Sequence, residues 1–357
     1  MSISPTPPSS GQLAPHPLDP DLLADGVPHD AYRRLRETEP ISLQHLPDGQ
    51  PYWALTRHED VLRVSTDTDA FSAAERGMMV ENVEGLLPTL LNIDPPAHTE
   101  VRRPLTDHFS PRAARMLEPW MREVLGRVFD RAAELGECDF VADLAAPLPL
   151  QVICRLLGIP EADQARLGAA ADEMAAADDP ELAPELQGQA QNQAALELGV
   201  YGFELGARLE KEAGEGASDL VALIKRSTLG GATVDAATFS GLFVQVLIGG
   251  NETTRSLLCG GMKALLEHPE SHAALAADPR GIPAAIEEML RWVTPVHYFR
   301  RTPLRDVELG GVKLKAGDSV AMIYAAANRD PEVFPEPDRF DIRRKPNPHV
   351  AFGFGEH

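Results

Sequence analysis

The sequence predicts a mainly helical protein with small β-sheets towards both ends. Three observations carry this. Phe239, Leu242, Phe243, Val246 and Leu247 repeat at helical spacing in a stretch with few charges. From Ser110 to about Leu229 the pattern is again helical, punctuated by loops. Strand-and-turn patterns are confined to the flanks, and no internal repeat exists.

Taken in order, Met1 to about Pro20 is rich in Pro, Ser and Gly and reads as a disordered arm, leaving 21–357 as one domain. Asp30–Arg36 reads as a short helix with Asp30 near its cap. Ile41–His45 and Tyr52–Thr56 read as strands around the turn Pro47-Asp48-Gly49, and His58–Val64 as another helix. Phe71–Leu91 is apolar without a period; a loop folded over a cavity and an irregular helix both fit it. A helix starts after Pro95-Pro96. Leu148–Pro160 is an apolar helix stopped by Gly158 and Pro160. Ala169–Gln193, rich in Ala, Asp, Glu and Gln, reads as an exposed, mobile lid. The long apolar helix lies within Ala232–Glu267, and Ile282–Trp292 is a helix with Pro283 in its first turn. Val307–Gly317 reads as a hairpin, Ser319–Tyr324 as a strand, and the remainder as irregular.

Composition bounds the function. The chain has 357 residues, 43% hydrophobic and 24% charged, as in soluble globular proteins. A net charge of −21 argues against binding nucleic acid or anionic membrane surfaces. No apolar run reaches spanning length, and the N-terminus lacks the pattern of a signal peptide, so a cytoplasmic location is expected. Cys138, Cys154 and Cys259 match neither a zinc site nor a disulfide framework and read as buried packing thiols.

Several positions carry candidate chemistry. Gly249 and Gly250 stand side by side in an apolar helix, where each costs roughly 1 kcal/mol relative to Ala. Polar Asn251, Glu252, Thr253 and Thr254 follow and need partners. The Thr253 hydroxyl can reach the Gly249 carbonyl and bend or open the helix. Two readings stand: a widened turn with an acid and an alcohol facing a cavity, suited to proton delivery, or a kinked core helix with glycines for close packing. His98 and Arg102 share a helix face, as an anion clamp or a solvated pair. Glu288 and Arg291 lie three apart and can pair.

Together and in this order, these segments resemble the cytochrome P450 superfamily, bacterial soluble type. His98 to Arg102 looks like the early helix that gives a His and an Arg to the haem propionates. Gly249-Gly-Asn-Glu-Thr-Thr254 resembles the oxygen-binding groove, A/G-G-x-D/E-T-T. Glu288-Met-Leu-Arg291 matches E-x-x-R, with Arg339 as its usual third partner. Arg301, in Phe299-Arg-Arg-Thr302, falls where the family has a propionate-binding Arg. Phe352-Gly-Phe-Gly-Glu-His357 matches the start of the haem loop, F-G-x-G-x-H-x-C. The family's iron-ligating cysteine would stand two positions beyond His357, so the chain resembles a truncated member that lacks its metal ligand and is expected to be inactive as it stands.

The resemblance implies haem b as cofactor, held by His98, Arg102, Gly249, Gly250, Arg301, Phe352 and His357, with Glu252 and Thr253 catalytic. It implies a structural role for Glu288, Arg291 and Arg339, and a pocket that includes Val244, Val296 and His297. The implied reaction is monooxygenation of a hydrophobic small molecule (a steroid, branched lipid or terpene) by a monomer. Electrons would come from NAD(P)H through a ferredoxin-type donor, with Arg102, Arg103 and Arg112 as a docking patch. A non-catalytic lipid- or partner-binding relative is the alternative.

Overall fold

The computed structural model describes residues 16–357, apart from 25, 82–86, 176–183 and 212–218. Its elements begin with α1 (Pro20–Leu23), α2 (His29–Thr38), the strands β1 (Ile41–His45) and β2 (Pro51–Leu55), α3 (His58–Thr66) and β3 (Phe71–Ser72). A run of helices follows: α4 (Ala97–Leu105), α5 (Pro111–Leu135), α6 (Pro147–Leu157), α7 (Glu161–Ala175), α8 (Pro184–Lys211) and α9 (Asp219–Arg226). The short pair β4 (Thr228–Leu229) and β5 (Ala232–Thr233) leads into α10 (Ala236–Glu267), α11 (Pro269–Ala277) and α12 (Ile282–Val293). Then come β6 (Tyr298–Pro303), β7 (Val307–Leu309), β8 (Val312–Leu314), β9 (Val320–Ile323) and α13 (Tyr324–Ala327).

The long helix α10 is the axis of the molecule. Its start is fixed by Asp235, whose side chain accepts from the Thr238 N–H at 2.8 Å. Its apolar residues do not form one stripe, because α6, α7, α8 and α12 pack around it. Phe239, Leu242, Phe243 and Leu247 are all buried in the largest core cluster. The helix remains α-helical through Gly249–Thr254, so of the two readings the opened turn does not form.

The β-structure at the two ends is one sheet. Its order is β1-β2-β9-β6-β3, with β2 and β9 parallel and the other pairs antiparallel. The N-terminal hairpin therefore pairs with a strand more than 260 residues later, Trp53 opposite Val320. The sheet fixes β6 between β9 and β3 and carries Arg301 inwards.

Three expectations need correction. The arm does not run to Pro20: His16 and Leu18 are buried, and His16 Nδ1 lies 3.0 Å from the Tyr52 hydroxyl. Residues 1–15 of that arm lie outside the described residues. The beginning of the supposed lid belongs to α7, where Leu167, Ala170, Ala171 and Met174 form a core-facing stripe. Their 3-4-7 spacing is helical, but the stretch is so rich in alanine and acidic residues that its composition reads as surface. The rest of Ala169–Gln193 falls on undescribed residues or on side chains that are not described. Lastly, Phe140–Leu157 is apolar enough to span a membrane by length and composition, with mean hydropathy 1.5. It is a π-helical turn, Phe140–Ala145, followed by α6, and it packs against both α5 and α10.

Candidate active site

Four separate stretches converge on one site of basic side chains. Helix α4 contributes His98, which is 1% exposed yet has no hydrogen-bond partner on either ring nitrogen. The last residue, His357, lies beside it, with ring centroids 4.3 Å apart. Its Nδ1 lies 3.2 Å from the Leu90 carbonyl. Arg102, one turn after His98, donates to the Glu356 carbonyl at 2.7 Å and so ties α4 to the C-terminal loop. Arg301 on β6 is buried, and its Nη1 donates to the Arg300 carbonyl at 2.8 Å. No carboxylate forms an ion pair with Arg301 among the described residues.

The electrostatics follow from burial. Desolvation, reinforced by Arg301 and His98, pushes His357 down to about 4. Desolvation and Arg102 lower His98 likewise, and burial lowers Arg301. A buried guanidinium without an ion pair, near the partnerless imidazole of His98, is costly unless an anion completes it. The buried Arg301 cation, with neutral imidazoles beside it that can donate N–H bonds, suits a ligand with carboxylates.

The two glycines of α10 do different things. A Cβ on Gly249 would meet nothing within 4 Å, whereas one on Gly250 would lie 2.8 Å from Ile153 Cδ1 of α6. Gly249 thus opens a flank of the helix. Gly250 is there for packing, which corrects its assignment as a cofactor contact. Gly249→Ala is expected to raise the urea midpoint by about 1 kcal/mol in stability, from helix propensity. Gly250→Ala should lower it by a similar amount, because overpacking outweighs that gain.

Thr253 Oγ1 donates to the Gly249 carbonyl at 2.6 Å, the local bond anticipated from the sequence. With its single proton engaged there, the hydroxyl oxygen keeps its lone pairs for a second partner. Glu252 does not face the same way. Its carboxylate meets Arg255 of α10 and, through Asn251 and Arg255, Asp172 of α7. Desolvation first, and then the hydrogen bond to Asp172, raise the Glu252 carboxyl to about 7 against the opposing pull of Arg255.

The loop 71–91 is a loop in its described parts, and it docks on α10. Leu90 N–H donates to Gln245 Oε1 at 2.6 Å, and a Cβ on Gly241 would lie 2.5 Å from the Pro88 carbonyl. Val244 faces the apolar cluster under this loop. Val296 packs instead with the sheet cluster around Tyr324, and His297 is held by Tyr32. The Tyr32 hydroxyl donates to the Pro17 carbonyl at 2.7 Å, so it accepts from His297 Nε2–H at 2.6 Å. Val244 thus packs with the helical cluster, Val296 with the sheet cluster, and His297 against Tyr32.

Glu288 and Arg291 are both fully buried and paired through two bonds of 2.8 Å. The third partner is Arg344, not Arg339. Arg344 Nε lies 3.1 Å from Glu288 Oε2, while the Arg339 side chain reaches outwards to Glu336 at 3.0 Å. Arg339 takes part only through its carbonyl, which accepts from Arg291 and Arg344. Asn328, which the sequence reading missed, extends the network: it donates to Thr294 and accepts from the Val350 N–H at 2.8 Å. The loop beyond Val350 turns on Gly353 (φ +78) and Gly355 (φ +84), where a Cβ would approach Tyr324 and the Ser65 carbonyl. Phe352 stays 49% exposed, available to an apolar ligand. None of the cysteines belongs to the site: Cys138 is exposed, Cys154 is buried in the core cluster of α6, and Cys259 lies on α10 beyond Thr253.

Comparison with known proteins agrees with this geometry. The cytochrome P450 family model matches residues 282–357. A steroid C26-monooxygenase of Rhodococcus jostii is 36% identical over 351 residues, spanning 94% of this chain and 72% of the relative. The chain belongs to the cytochrome P450 family. Cytochrome P450-terp of a Pseudomonas species is 32% identical, covering 93% of the chain and 82% of that protein. A cytochrome P450 of Mycobacterium marinum, solved in complex with pseudoionone, superposes with a TM-score of 0.84 at 32% identity, covering 92% and 82% of the two chains.

The family is one of haem monooxygenases, and the residues present fit its cofactor. The partnerless nitrogens of His98 and the buried Arg301 suit a pair of propionates, and the open flank at Gly249 suits a planar group lying against α10.

Proposed function

We propose that this P450 hydroxylates a hydrophobic small molecule of the steroid, branched-lipid or terpene class. The observation that carries the cofactor part is the buried Arg301, which has no ion pair among the described residues, together with the partnerless imidazole of His98 and the ring of His357 beside it. The substrate part rests on the apolar lining at Val244 and the Leu90 loop, and on relatives named for steroid and terpene chemistry. Haem b, when bound, supplies the activation of dioxygen. His98, Arg102 and Arg301 hold its acidic groups, and Phe352 covers apolar surface. Gly249 leaves room on α10, and the Thr253 oxygen accepts a hydrogen bond from a water placed there. Glu252 supplies the proton.

We further propose that a ferredoxin-type donor passes on electrons from NAD(P)H. Arg102, Arg103 and Arg112 are exposed on the face of α4 and the start of α5 and form a basic patch on an otherwise acidic protein. A monomeric, cytoplasmic enzyme fits this scheme.

A binding screen of steroids, terpenes and fatty acids tests the substrate class, read as the spin-state change of the haem protein; a response only to small polar compounds would overturn it. Thr253→Ala is expected to leave haem binding intact and to lower product formed per NADH by at least tenfold, with peroxide released instead. An unchanged product yield would remove Thr253 from proton delivery.

A further inference from the structure

A groove on one face of the sheet lies apart from the site described above. Leu43 of β1 stands opposite Trp53 of β2, and His45 opposite Pro51. Residues two apart on a strand share a face, so these four side chains form one patch. On the same face Ile41 and Leu55 are buried in the sheet cluster with Leu309 and Leu314 of the β7–β8 hairpin, whereas Trp53 is only partly buried against it. The uncovered end of the stripe is a groove of about 500 Å³. Arg76, from the loop after β3, also lines it, with Lys313, Lys315, Asp318 and Ser319 from β8 and the segment before β9. Trp53 and Arg301 pair with Val320 from opposite sides, so β9 separates the groove from Arg301.

The contacts among these groups decide what remains for a ligand. Asp318 is the one carboxylate in the lining, and it is engaged: its Oδ2 accepts from Trp53 Nε1 at 2.9 Å and from the Lys315 N–H at 2.8 Å. The indole is thus fixed in orientation, and with its single polar atom taken it offers only carbon surface. Lys315 Nζ is held by Asp306 at 2.6 Å. Arg76 and Lys313 are exposed and form no ion pair among the described residues. Ser319 is 5% exposed, and its hydroxyl has no hydrogen-bond partner among the described residues, which is costly for a buried polar group. On a chain of net charge −21, two cations without a counter-ion therefore stand beside a rigid aromatic surface and an unused hydroxyl.

We propose that this groove binds a small aromatic acid: the ring lies on Trp53 and Leu43, the carboxylate is held by Arg76 and Lys313, and the Ser319 hydroxyl is the third polar contact. A guanidinium suits a carboxylate because its fork can donate to both oxygens. A fatty acid would meet the same cations, but its flexible chain loses more entropy against a fixed indole than a rigid ring does. The binding needs neither the cofactor nor any residue of the haem site.

The indole N–H of Trp53 reports on the groove. The chain has three tryptophans, so a nitrogen–proton correlation spectrum holds three indole signals, and Trp53→Phe identifies the one in question. Titration of the full chain with naphthoate is expected to move the Trp53 signal saturably while those of Trp120 and Trp292 stay in place. Arg76→Ala and Lys313→Ala, both at exposed positions, should each weaken binding about fivefold, as the loss of an exposed charge pair does. The unmoved Trp120 and Trp292 signals show that these variants remain folded. Uncharged acetylnaphthalene and the aliphatic decanoate should each bind at least about fivefold more weakly than naphthoate. A Trp53 signal that does not saturate, an unchanged affinity in both charge variants, or equal binding of acetylnaphthalene would overturn the site. Equal binding of decanoate would overturn its assignment to an aromatic acid.

Discussion

Glu288→Ala is expected to destabilise the fold severely. The Glu288 carboxylate is fully buried and accepts from Arg291, Arg344, Asn347 and the Asp341 N–H. Removing it leaves two guanidiniums, at 0% and 7% side-chain exposure, with no counter-ion. Breaking a buried pair by deleting one partner costs about 3–5 kcal/mol, a large part of the 5–15 kcal/mol typical of a whole domain. Arg291→Ala should cost about as much, because Arg291 also donates to the Asn328 and Pro337 carbonyls, both at 2.9 Å. Arg344→Ala should cost less, since Arg291 remains to neutralise Glu288. Arg339→Ala should change stability by only about 0.5 kcal/mol, as expected of an exposed ion pair. Urea denaturation of the four variants gives the order. A cost for Arg339→Ala equal to that of Arg344→Ala would show that the third partner had been assigned wrongly.

Arg301→Leu and His98→Leu are expected to separate stability from cofactor binding. In the chain without haem, Arg301 is a buried cation with no ion pair among the described residues, and His98 a buried imidazole with both nitrogens idle. Replacing either with an apolar residue of similar reach removes a desolvation cost, so the haem-free protein should gain about 1 kcal/mol. Haem affinity should move the other way. A hydrogen bond to a charged group contributes about 1.5–3 kcal/mol, so each variant should bind haem at least tenfold more weakly. The double variant should lose more than either alone. Thermal denaturation of the haem-free forms and haem titration by absorbance read the two effects. Haem affinity equal to the parent in Arg301→Leu would remove Arg301 from the propionate site.

Much of the fold was legible because it depends on local pattern. The periodicity through Phe239–Leu247 located α10, and the turn at Pro47-Asp48-Gly49 located the first hairpin to within a residue. Thr253 to Gly249 was legible for the same reason: a hydroxyl and a carbonyl four residues apart on one helix meet whatever else the chain does. The convergence of His98, Arg301 and His357 could not be read from any one stretch. It was carried by the order of the family's motifs, which encodes contacts that no local pattern contains.

The errors share a cause as well. Arg339 and Arg344 both lie in an irregular segment, where sequence spacing says nothing about direction; only the packed turn decides that Arg344 points inwards. His297 stands next to residues facing the core, but Tyr32 reaches it from 265 residues away. The α7 stripe was hidden because alanine is neutral in composition and becomes core only when a neighbour presses on it.

By itself, the sequence determined the helical class, the place of the central helix, the polar step after Gly249–Gly250 and the membership implied by its ordered motifs. Only the tertiary structure decided that the end strands form one sheet, that Gly250 serves packing while Gly249 opens a flank, and that Glu252 turns to Asp172 and Arg255. The physical reason is the range of the forces involved. Helix periodicity, caps and hydroxyl back-bonds are set within one or two turns. The direction of a buried charge, in contrast, is set by which desolvated partner reaches it, and that partner comes from elsewhere in the chain.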